Sequence, residues 1–176
     1  MTIHTKQFLI CADDYAFSTA NSKAIRELLK NKKINATSCM STSEHWPEQA
    51  RLLTTLLKEI PKSQRPLIGL HFCLTEPVNH TNKKLAQPII RSWFTNNAIS
   101  LPQILIRSQL RLLPKKQIYK ILEFQWEQFI KHFGTLPDFI DGHQHVHQLP
   151  VVRGQIIKFL KNNKLTQDNT QNNFFV

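Results

Sequence analysis

Three times along this chain a short apolar run of strand length ends on carboxylates or imidazoles. "KQFLICA" (6–12) runs into Asp13 and Asp14, "RPLIGLHFCL" (65–74) carries His71, and "PDFIDG" (137–142) leads into "HQHVH". Between these runs the apolar residues take a helical period. Ile25, Leu28 and Leu29 do so in "ANSKAIRELLKNKK", and Leu52, Leu53, Leu56 and Leu57 follow Pro47. Ile118, Ile121, Leu122, Trp126, Phe129, Ile130 and Phe133 form a stripe over 115–133 that Gly134 closes, and Val151, Val152, Ile156, Ile157 and Leu160 mark 150–162. "INATSCMS" (34–41) suits a further strand. Strands alternating with helices predict an α/β fold on a parallel sheet, open or rolled into a (β/α) barrel.

That architecture decides where chemistry can gather. Loops at the carboxyl ends of parallel strands converge, so ligand sites form there. Asp13, Asp14, His71 and His143 are therefore expected in one pocket, although 130 positions separate the first from the last. Adjacent carboxylates repel, which favours one on a cation and the other left as a base. One carboxylate with two neutral imidazoles makes an open site suited to zinc or another transition ion, and less naturally to magnesium.

Plainer readings exist for each residue. Asp13 and Asp14 suit a turn or a helix cap, His71 suits a hydrogen-bonded core position, and strand alternation would turn part of the histidine triplet to solvent. Asp141 either orients a ligand histidine or caps its loop. His145 and His147 either bind substrate, shuttle a proton or hold the loop. His4, His45, His80 and His132 lie in polar or helical contexts expected at the surface.

At 176 residues one domain is expected, over 1–163, followed by an Asn/Gln-rich tail over 164–176 that is expected to be poorly ordered or a non-native continuation. Residues 75–100 lack a period and predict a long loop, in which Trp93 and Phe94 either stack on a ligand ring or anchor the loop. The formal net charge of +11 suits an acidic partner or surface. Nucleic acid is disfavoured as that partner, because the cations are scattered along helical faces rather than gathered among base-reading side chains. Cys11, Cys39 and Cys73 are odd in number, lack CxxC spacing and sit in apolar runs, which predicts buried thiols and a cytoplasmic setting. Neither a signal peptide nor a membrane span is expected.

"LICADDYAFSTANSKAI", "GLHFCLTEP" and "PDFIDGHQHVHQLP" resemble the three motif blocks of the YdjC-like carbohydrate deacetylases, with "NATSCMS" a weaker fourth match. The resemblance implies a (β/α) barrel-like fold and metal-dependent removal of an acetyl group from an N-acetylated sugar, oligosaccharide or glycolipid headgroup. It implies Asp14, His71 and His143 as ligands of one divalent ion, magnesium or zinc, and Asp13 as the carboxylate that deprotonates the attacking water. Two departures stand out. Ala16 occupies a position where the family usually has glycine, which matters if the backbone there takes a positive φ. A closed barrel also needs about 250 residues, so the chain is expected to be a C-terminally shortened product lacking the family's last strands and proton donor, or one closed by a second copy in a homodimer. The competing functions are a metal-dependent phosphoesterase, to which the basic charge is suited, and a non-catalytic remnant that keeps the metal ligands.

Overall fold

The computed structural model describes residues 8–75 and 99–165. Four parallel strands lie side by side in chain order: β1 (Cys11–Tyr15), β2 (Ala36–Cys39), β3 (Leu67–Phe72) and β4 (Ile140–Gly142). Helices α1 (Thr19–Lys30) and α2 (Trp46–Glu59) make the first two crossovers. The third carries α3 (Leu101–Gln109) and α4 (Lys115–Phe133), and α5 (Pro150–Asn162) follows β4. The α/β architecture with a parallel sheet is as the alternating pattern predicts.

Local chemistry explains the helix boundaries. Ser18 accepts the Asn21 N–H at 3.1 Å and caps α1. Pro47 and Pro150 stand in the first turns of α2 and α5, where a missing N–H costs nothing. Gly134 ends α4 at φ 91°, a left-handed conformation that a Cβ disfavours, and donates its N–H to Ile130.

The helices cover one face of the sheet. Cys39, Ile68, Leu70, Phe72 and Ile140 pack there against Leu53, Ile121, Leu122, Phe129 and Ile156. Trp46 stacks on Phe129 at 5.3 Å and donates its ring N–H to the Gln128 carbonyl, which fixes α2 against α4. Gln125 reaches from α4 to the chain just past β3, accepting the Cys73 N–H at 3.0 Å and donating to the Cys73 carbonyl at 2.7 Å.

The first strand differs from its expected span of 6–12. Phe8, Leu9 and Ile10 are exposed, and the strand lies at Cys11–Tyr15 with both aspartates inside it. Its register against β2 shifts between Ala12 and Tyr15, and Asp14 takes φ 61°. This bulge re-aims the Asp14 side chain, as bulges beside functional sites commonly do. The loop expected at 75–100, with Trp93 and Phe94, and the tail expected from 164 lie largely outside the described residues.

Candidate metal centre

Pairing across the sheet sets Ser38 beside Gly69 and His71 beside Asp141, and paired residues share a face. Cys11, two residues before Asp13, pairs with Ala36, two before Ser38. The face away from the helices thus carries Cys11, Asp13, Ser38, His71 and Asp141. His143 joins them from a 3-10 turn over His143–Gln148 directly after β4.

Asp14 Oδ1 is the focus of the cluster. It lies 3.0 Å from His71 Nε2 and 2.9 Å from His143 Nδ1, and the three donor atoms all fall within 4.8 Å of one another. An octahedral ion with bonds of about 2.1 Å would hold neighbouring ligand atoms about 3.0 Å apart, close to the two shorter separations. Two imidazoles and one carboxylate are also the donor types that zinc and other transition ions accept.

His71 is only 2% exposed, and its far nitrogen Nδ1 donates to Asp141 at 2.8 Å with Ser38 Oγ 3.0 Å away. Anchoring Nδ1 leaves Nε2 directed at Asp14, the arrangement by which carboxylates orient ligand imidazoles. Burial works against a charged His71 ring, but the hydrogen bonds to Asp14 and Asp141 outweigh it and raise the pKa to about 9. Hydrogen bonds from His143 and His71 hold the Asp14 carboxyl well below the usual carboxylate range.

Asp13 points elsewhere. It is exposed, and the Ser38 hydroxyl donates to its Oδ1 at 3.5 Å. One of the paired aspartates is therefore engaged by histidines while its neighbour stays open to solvent. Cys11 and Asp141 lie close to Asp13, within 4.8 Å donor to donor. Burial, with Asp141 and Asp13 nearby, pushes the Cys11 thiol up to about 12, so it stays protonated.

The histidine turn separates its members. Gln144 and His145 take φ of 51° and 58°, which breaks strand alternation and sends His145 to solvent. His147 is half-buried, its Nδ1 against the Gly142 backbone without a hydrogen bond of good geometry, and burial lowers its pKa. A Cβ at Gly142 would come within 2.9 Å of the His147 nitrogen, so the glycine lets the turn fold back on the strand. Neither His145 nor His147 falls in the group around Asp14.

Two expectations need correction. Cys11 is a half-buried neighbour of the site rather than a core thiol, whereas Cys39 and Cys73 are buried, and none of the three is held in a disulfide. His132 is not an ordinary surface residue: its Nε2 is buried and unbonded, and burial lowers its pKa. Ser38 escaped the sequence reading of the site. A hydroxyl inside an otherwise buried strand was the available signal, but it became informative only once β2 was seen between β1 and β3.

The model of the YdjC-like protein family matches residues 7–174. Among curated relatives, the chain is 25% identical over 146 residues to a chitooligosaccharide deacetylase of Citrobacter koseri, covering 82% of this chain and 51% of that one. Against the Salmonella typhimurium chitooligosaccharide deacetylase it is 26% identical over 153 residues, covering 86% and 54%. The chain thus spans about half the length of the curated relatives it matches. Among solved structures, an Enterococcus faecalis protein described as a cellobiose-phosphate cleavage protein superposes with a TM-score of 0.59 at 19% identity, over 88% of this chain and 55% of that one. That likeness is one of fold. Matched over nearly its whole length, with the three motif blocks meeting at one end of a parallel sheet, the chain belongs to the YdjC-like family.

Proposed function

We propose that this chain is a metal-dependent hydrolase that removes the acetyl group from an N-acetylated sugar. In this reading Asp14, His71 and His143 hold one divalent ion, zinc or another transition ion fitting the imidazole-rich set better than magnesium. The observation that carries it is a division of labour between adjacent residues: Asp14 faces two histidines, and Asp13 stands beside it unengaged by them. The names of the curated relatives support an acetylated amino sugar as substrate.

When bound, the ion would polarise the acetamide carbonyl and make water more acidic. Asp13 accepts the proton of the attacking water, and its exposure gives it access to that water. Ser38 steadies Asp13 through its hydroxyl, and Asp141 fixes the His71 ring through Nδ1. His145 and His147, on the turn that starts at His143, serve substrate binding or proton transfer to the leaving amine.

The test is acetate release from N-acetylglucosamine oligomers by metal-stripped and metal-restored protein, with Asp13→Asn in parallel. Restored metal is expected to bring activity, and Asp13→Asn to lower it by about 10²–10⁴-fold with metal still bound. Acetate release that survives both stripping and the substitution would sink the proposal.

A further inference from the structure

Helix α3 leaves large apolar side chains on its outer side. It buries Ile104 and Ser108 one turn apart, the serine 0% exposed with its hydroxyl unbonded, while Leu105 and Ile106 face solvent. Leu110 and Leu112, between α3 and α4, are 62% and 67% exposed. Four large apolar side chains therefore stand in solvent within "LIRSQLRL" (105–112), interleaved with exposed Arg107 and Arg111. Single exposed leucines are ordinary, but a cluster marks an interaction surface.

Two adjoining grooves run on from Arg111, inside this segment, across α4 and α5. One of about 280 Å³ is lined by Arg111, Lys115, Arg153 and Gly154 among others. The next, of about 450 Å³, includes Lys115, Lys116, Lys120 and Lys158. Among the described residues, six cationic side chains line the pair and no carboxylate does, although Glu123 engages Lys120 at 2.6 Å. Gly154 is a second oddity. Glycine weakens a helix interior, and a Cβ at this position would meet nothing within 4 Å, so packing does not require it. Its bare backbone widens the groove.

We infer that this face docks on an anionic lipid surface, the exposed leucines entering the headgroup–acyl boundary and the arginines and lysines meeting lipid phosphates. A bilayer uses both halves of the patch. A nucleic acid would use the cations and leave the leucines without a role. A second copy would set two strongly basic faces against each other. No helix among the described residues is long and apolar enough to cross a membrane, so the contact is interfacial. The inference does not depend on the deacetylase reading.

The experiment is flotation of the full chain with vesicles of phosphatidylcholine alone and of phosphatidylcholine with phosphatidylglycerol. Leu110→Ser/Leu112→Ser and Arg111→Gln/Arg153→Gln are compared with the unsubstituted chain after thermal melts show that both variants fold. Binding is expected only with phosphatidylglycerol, falling with salt and weakened roughly tenfold or more by each double variant. Equal binding to both vesicle types, no binding, or binding indifferent to either variant overturns the inference. So does self-association abolished by the leucine pair without vesicle binding, or oligonucleotide binding that needs the arginines but not the leucines.

Discussion

Two imidazoles share one oxygen at Asp14, and this makes the cluster sensitive to protons. His71 has its pKa raised from 6.5 to about 9 in the folded chain. A raised folded pKa means that the proton-bound form stabilises the fold fully below about 6.5, and that this contribution is lost as pH climbs through about 9. Metal-free protein is therefore expected to lose on the order of 3 kcal/mol across that window, read as a falling denaturation midpoint. Metal binding needs neutral imidazole, so zinc should displace a proton and bind more tightly as pH rises. Calorimetry in two buffers of different ionisation enthalpy checks this; identical heats would count against it. Ala16 offers a test of another kind. It sits at φ 74°, buried, with its N–H donated to Ser22 Oγ at 3.0 Å. Ala16→Gly is expected to relieve strain and stabilise the fold by about 1 kcal/mol, seen as a higher urea midpoint with an unchanged slope.

Elements differed in how legible they were. Helices α4 and α5 lie where the periodicity puts them, because a helix is held by bonds four residues apart and its apolar stripe and cap are local. Strand β1 lies several residues beyond its expected start, because a strand's limits are set by its partner. Only Cys11, Ala12 and Tyr15 find Cα partners on β2. A similar non-local demand explains Gly69 in β3, where a Cβ would run into the Phe139 ring. Gly69→Ala is expected to destabilise by about 1–3 kcal/mol through overpacking. Phe139→Leu should recover part of that loss, and strict additivity of the two changes would rule out the contact as cause.

At the scale of the whole molecule, α4 joins the core to the site. Gln125 is buried, bonds both backbone groups of Cys73, and through its carbonyl accepts the Ser41 hydroxyl at 2.7 Å. It thereby ties the helix to the chain after β2 and after β3, two residues beyond His71. Gln125→Leu removes both hydrogen bonds to the Cys73 backbone and is expected to cost about 1–3 kcal/mol. It should also weaken zinc binding; a stability loss with unaltered affinity would show that α4 supports the core alone.

By itself the sequence determined the α/β class, helices α1, α2, α4 and α5, and the candidates Asp13, Asp14, His71, Asp141 and His143, because periodicity and polar clusters at strand ends are written in neighbouring residues; α3 went unread. Tertiary structure alone decided which atoms meet. The bulge in β1 turns Asp14 toward two histidines, and the left-handed backbone at Gln144 and His145 separates His143 from His147. It also brought in Ser38 and Cys11, and turned Leu105, Ile106, Leu110 and Leu112 outward. Strand register and backbone handedness arise from pairing between distant segments, so no single stretch of the chain contains them.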